Sequence, residues 1–198
     1  MLKYILLVVF LVIWLYLLHI LEEAKLYAWK YIVGAAGLFV FMMVYLRPPL
    51  TDPLARLVAG IAGIFGNLTG FFEAYFKYGV IFVDSAEGSI SLQIDFECSG
   101  ILEIMAFVSL LSFFRAYSVF ERIIVNIIGV IYILLSNVIR IITICCIIHF
   151  AGTDYYYMAH TFVGRIVFYA LTVFLYFVVF TKEQVIRQKV GGFHYGDS

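Results

Sequence analysis

Three residue types between positions 98 and 160 of this 198-residue chain can together break and remake an acyl bond. Cys98 offers a thiol, whose thiolate form is the nucleophile. His160 offers an imidazole that carries protons near neutral pH. Arg140 offers a fixed cation for a thiolate or for the oxyanion of an acyl transfer. Around them stand Ser99 and Gly100 beside the thiol, Glu103 further along, Asn137 one helical turn before the arginine, and Gly164 one turn after the histidine. Asn126, Asn137 and Arg140 share one narrow helical arc, a polar stripe that has to face protein or water. Cys145 and His149 have i, i+4 spacing suited to a metal, but two ligands do not make a site, and a small apolar filler is the simpler reading of Cys145. No metal or cofactor is expected. Each of the three residues also has a structural alternative: a buried cysteine, an arginine that snorkels or pairs with Glu103, and an interfacial histidine.

The medium around these residues is set by composition. Hydrophobic residues make up 65% of the chain, charged residues 13%, and the mean hydropathy is +1.05. A soluble domain has about 45–50% apolar and ~25% charged residues, so a soluble fold is excluded. Lys plus Arg (13) balances Asp plus Glu (13), which leaves no bulk positive field for nucleic acid. The three cysteines are an odd number with two adjacent, so they make no disulfide framework.

Apolar runs at about 2–21, 28–46, 54–76, 98–114, 123–150 and 160–180 predict transmembrane helices. The expected fold class is an all-α polytopic membrane protein, a single integral membrane domain over 1–198 with about six transmembrane helices. Lys3 and the first run resemble a signal peptide, but no small-residue cleavage site precedes Glu22 and Glu23, so a retained span is expected. The third run carries Gly60, Gly63, Gly66 and Gly70 at steps of three and four, a smooth face that favours a closely packed span and leaves room for a substrate helix. Asn67-Leu68-Thr69 has the glycosylation pattern by coincidence, being inside an apolar helix.

With both termini cytoplasmic, the inner side collects Lys3, Arg47, Arg56, Arg115, Arg122, Lys182, Arg187 and Lys189, against Lys25, Lys30 and Lys77 outside. Pro48, Pro49 and Pro53 punctuate an inner loop, and Tyr155, Tyr156 and Tyr157 an outer one. Between the third and fourth spans, Val80 to Val83, a turn from Asp84 to Gly88, and the alternating run Ser89 to Phe96 predict a small extracytoplasmic β-hairpin over about 80–96. It leads into Cys98 at the outer N-terminus of the fourth helix, where the helix end lowers a thiol pKa. At 1.5 Å per residue, Arg140 stands roughly 26 Å up from Ile123, near the outer boundary of a ~30 Å core. His160 begins the sixth span on that same side. Three helices therefore bring three reactive groups to one leaflet.

Asp95-Phe96-Glu97-Cys98-Ser99-Gly100-Ile101, Ser136-Asn137-Val138-Ile139-Arg140 and His160-Thr161-Phe162-Val163-Gly164 follow one another on successive helices. In this order they resemble the exosortase/archaeosortase family of membrane cysteine transpeptidases, over about the C-terminal half of the chain. The small size is similar to the short Gram-positive branch called type G. The resemblance implies a Cys98 nucleophile with Arg140 and His160 completing the site. It implies secreted protein substrates whose C-terminal sorting signal holds a short motif, a membrane helix and a basic tail. The signal is cleaved at the outer face of the plasma membrane, and the protein passes to an envelope lipid or glycan acceptor. No nucleic acid is expected as a partner. Two other readings stay open on the residues alone: a non-catalytic assembly factor with Arg140 and Glu103 as structural glue, and a proton pathway through Glu103, Asn137 and Arg140. The repeated halves of a transporter are not visible.

Overall fold

In lipid each backbone polar group needs a partner within its own segment, so apolar runs fold as helices. The computed structural model describes residues 2–85 and 88–182, with side-chain surroundings over 9–85 and 88–181. It is mostly helical: α1 (Leu2–Glu23), α2 (Tyr27–Tyr45), α3 (Arg47–Thr69), α4 (Ile101–Phe113), α5 (Val119–Ala151) and a last helix, α6, over Thr153–Thr181. Between α3 and α4 lie three strands, β1 (Phe72–Tyr75), β2 (Val80–Ser85) and β3 (Gly88–Gln93). Among the described residues α2, α5 and α6 are long and apolar enough to cross a membrane. The 13 residues of α4 fall short of the roughly 20 a crossing takes. At its start α5 carries a capping box in which Ser118 accepts from the Glu121 N–H and the Glu121 carboxylate accepts from the Ser118 N–H.

The packing sorts the helix ends. Arg115, after α4, lies over the Tyr27 ring at 4.0 Å, and the Tyr117 hydroxyl donates to the Val179 carbonyl at 2.8 Å. The α1–α2 turn, the α4–α5 turn and the end of α6 therefore share one end of the bundle. At the other end, Arg47 lies over Phe96 at 3.9 Å and His149 Nδ1 is 2.7 Å from the Asp84 carbonyl. This sheet end holds the α2–α3 junction, the strands and the close of α5. Two cores follow the same division. Ala55, Val58, Ala59 and Ala62 of α3 join Ile81, Val83, Leu92 and the second half of α5, from Val138 to Ile148. Phe107, Leu111, Phe114, Ile133, Phe168 and Leu175 form the second core, to which α3 contributes nothing.

Several expectations change as a result. Six spans are not confirmed among the described residues, and α3 stays at the sheet end instead of running back along the bundle. The proline-rich stretch is no loop: Pro48 and Pro49 occupy the first turn of α3, where the missing N–H groups would have had no partner, and Pro53 is carried inside. The glycine face takes a strand rather than a helix. A Cβ on Gly63 would sit 2.8 Å from Ala74 Cβ, and one on Gly66 would strike the Phe72 carbonyl. The expected hairpin gains a third strand. β1 pairs antiparallel with β2 and β2 with β3, so residues read as the tail of the third span form a sheet edge. Ala86 and Glu87, in the turn between β2 and β3, lie outside the described residues.

The charge assignment shifts too. Arg47, Arg56 and Lys77 stand at the sheet end, while Lys25 and Lys30 join Arg115 and Arg122 at the opposite end. Arg187 and Lys189 lie outside the described residues. Placing Lys25 and Arg115 on opposite faces of the membrane is incompatible with the Arg115–Tyr27 contact. In a protein cleared of its own cysteines, Ala24→Cys and Ser118→Cys should be protected or labelled together by a membrane-impermeant thiol reagent, with Ser85→Cys showing the reverse. Labelling of Ala24→Cys together with Ser85→Cys would restore the six-span arrangement.

Candidate active site

β3 hands the chain to a tight turn before α4. The Asp95 carboxylate builds this turn by accepting from the Glu97 and Cys98 N–H groups, both at 3.0 Å. The Ser99 hydroxyl closes it by donating to the Phe96 carbonyl at 3.0 Å. Gly100 follows with φ 76°, a left-handed conformation that side-chain-bearing residues rarely adopt. A Cβ there would also stand 3.5 Å from Asn137. The turn buries Cys98 to 4% exposure and presents its thiol to α5 and α6.

On α5, the fully buried Asn137 donates from Nδ2 to the Cys98 carbonyl at 2.7 Å. One turn on, Arg140 is 4% exposed. Its guanidinium lies 3.7 Å from Cys98 Sγ through one terminal nitrogen and 3.4 Å from the Glu97 carbonyl through the other. Arg140 Nε is buried with no hydrogen-bond partner among the described residues. On α6, His160 brings Nε2 to 3.0 Å from Cys98 Sγ. The helix is a π-helix from Ala159 to Val163, a widened turn that recurs at functional sites.

Thiol, imidazole and guanidinium, far apart in sequence, thus meet at one sulfur atom. Asn137, Ser99 and Gly100 shape the backbone beneath it. Gly164 lets α6 close on α5, since a Cβ there would sit 2.7 Å from Ile144 Cδ1. Glu103 is half-buried on the first turn of α4; the Arg140 charge acts on it but no ion pair within 4 Å forms between the two, and the atoms Arg140 contacts by hydrogen bond belong to the Cys98 turn. Cys145 is fully buried in the first core, and His149 stacks on Phe71 at 4.8 Å beside its contact with Asp84.

Three participants were not singled out from the sequence. Asp95 organises the turn. Tyr156 stacks on the His160 ring at 5.6 Å and 25°. Phe168 lies beneath Arg140, 5.7 Å from its Cζ. The i, i+4 spacing of Tyr156 and His160 was the available signal for one of these pairs. Glu97 points outward to Arg165 at 3.9 Å, an exposed pair of little energetic weight.

The helix-end route to an activated thiol is corrected here. Cys98 stands in the turn ahead of α4, outside the spanning helices, and its own N–H is taken by Asp95. Burial pushes its pKa up to about 11, with the Arg140 charge acting the other way and Asp95 and Glu97 adding to the rise. A raised thiol pKa means that the neutral form dominates at pH 7. Iodoacetamide labelling of Cys98 should therefore be slower at pH 7 than that of a free thiol and keep rising through pH 9 and 10. A plateau below pH 7 would show a preformed thiolate.

A mostly helical membrane protein with a buried thiol set between imidazole and guanidinium belongs to the class of cysteine-centred membrane proteins. Residues 1–177 match the family described as transmembrane exosortase, and the chain belongs to that family. No curated protein and no solved structure matches it.

Proposed function

We propose that this exosortase-family protein is a membrane cysteine protease and transpeptidase. It cleaves C-terminal sorting signals of exported proteins at the outer face of the plasma membrane and passes them to an envelope acceptor. The observation that carries this reading is the meeting of His160 Nε2, at 3.0 Å, and an Arg140 terminal nitrogen, at 3.7 Å, on the sulfur of Cys98.

The chemistry follows from the neutral resting thiol. As Cys98 Sγ attacks the scissile carbonyl carbon, the thiol proton moves to His160 Nε2 and the carbonyl electrons collect on oxygen. Arg140 donates to that oxyanion, a role for which a buried and unpartnered N–H is prepared. The intermediate collapses with cleavage of the C–N bond, the amine leaves with the proton from His160, and a thioester to Cys98 remains. An amine or hydroxyl of the acceptor, or water, then gives its proton to His160 and displaces the sulfur, which takes that proton back from His160 to restore the neutral thiol. Asn137 is a positioning residue that holds the Cys98 carbonyl. The sheet end is the outer face in this reading, and the end bearing Lys25, Lys30, Arg115 and Arg122 is cytoplasmic.

The decisive experiment is capture of the acyl-enzyme. Membranes solubilised in acid and treated with hydroxylamine should release an exported protein fragment from Cys98, ending where its sorting signal is cut. Absence of any hydroxylamine-labile adduct on Cys98 in cells that process such proteins would favour the assembly-factor reading.

A further inference from the structure

At the end of the bundle away from Cys98, two cavities lie along α4, the first between α2 and α6 and the second against α2 alone. One, of about 730 Å³, opens at the end of the bundle, where Arg115, Tyr27, Tyr31, Tyr176 and Thr181 give it polar groups among apolar walls. The other, of about 350 Å³, continues along α4 toward the sheet end and is lined by apolar residues such as Ala35, Ala36, Phe39 and Ala106, with Ser109 beside them. Tyr31 and Leu110 line both, so the two form one groove.

We propose that this groove is a binding site for one anionic phospholipid, with the phosphate at Arg115 and an acyl chain running along α4 between Tyr31 and Phe39. The polarity gradient selects this occupant. A membrane helix is apolar along its whole crossing and meets no need for a cation and three tyrosines at one end. A phospholipid carries both parts in this order. Charge selects the headgroup: the Arg115 guanidinium lies over Tyr27 at 4.0 Å and forms no hydrogen bond or ion pair within 4 Å among the described residues, while the Glu22 carboxylate on which its charge also acts is paired with Lys30 at 2.7 Å. Stacking orients the plane and leaves its N–H edge for phosphate oxygens. Basic pockets between helices recognise anionic headgroups in this way, and tyrosine rings favour the headgroup level.

Native mass spectrometry of the full-length protein in detergent tests the proposal with phosphatidylglycerol and phosphatidylcholine of identical chains. One phosphatidylglycerol should be retained about fivefold over phosphatidylcholine, the preference one basic residue confers near a lipid surface. Arg115→Ala should remove the preference, and Ala36→Phe, which fills the inner cavity from an exposed position, should abolish retention of both lipids. Lys25→Ala, at the same end but outside the groove, should change neither. An unaltered preference in Arg115→Ala, or unaltered retention in Ala36→Phe, would overturn the site. Displacement of the lipid by glycerol phosphate would show a site for phosphate alone. Displacement by a lysine-flanked polyleucine helix that binds Arg115→Ala equally well would assign the groove to a helix instead, and either displacement overturns the lipid proposal.

Discussion

Cys98→Ser is expected to lower processing of an exported substrate by about a thousandfold or more, with the protein still in the membrane at normal abundance. Loss of the nucleophile in enzymes of this chemistry costs at least about 10³-fold, since it removes the covalent route and not merely a contact. The fold should tolerate the change. The side chain sits in a buried turn that Asp95, Ser99, Gly100 and Asn137 hold through backbone atoms, and a serine hydroxyl can take the place of the thiol beside His160 Nε2. Quantitative immunoblotting of mature and precursor substrate, alongside the membrane level of the variant, separates the two effects. Processing at the native rate in Cys98→Ser would leave the transpeptidase reading without its nucleophile.

The second large effect belongs to Arg140. Arg140→Lys keeps a positive charge on α5 but replaces a planar fork by a point charge. At present one terminal nitrogen faces Cys98 Sγ and the other the Glu97 carbonyl, 3.7 and 3.4 Å away. A single ammonium cannot hold both directions and also meet a developing oxyanion. A loss of about 10²- to 10³-fold in processing is expected, the usual cost of one oxyanion donor, with membrane abundance close to that of the native protein. Were Arg140 only structural glue, Arg140→Lys would retain activity and Arg140→Ala would deplete the protein from the membrane. Native processing in Arg140→Lys would remove the arginine from the proposed chemistry.

The relation between sequence and structure differs from element to element. The apolar runs are legible because helix formation in lipid depends on local composition, and α2, α5 and the last helix stand close to where hydropathy places them. The alternating run Ser89 to Phe96 is legible for a similar reason, since a strand with one buried face repeats every two residues. The third run misleads. Its glycines report close approach, but a missing Cβ says nothing about whether a helix or a strand approaches, and only the fold brings Phe72 and Ala74 against Gly66 and Gly63. Its prolines read as a loop because their fixed φ suits both a turn and the first turn of a helix.

The chemistry divides in the same way. Residue type and order mark Cys98, Arg140 and His160 as candidates, each beside a structural alternative, because an intramembrane cation is costly and the three motifs together resemble one family. Their common depth also follows from counting along α5. Tertiary structure alone decides that all three meet at one sulfur atom, that Asp95 takes the N–H groups a thiolate would have used, and that burial holds the thiol neutral until a proton can pass to His160. It also decides which helix ends lie together. Hydropathy reports that a segment prefers lipid, whereas the end at which it turns back is set by contacts between residues remote in sequence, such as Arg115 on Tyr27 and Arg47 on Phe96.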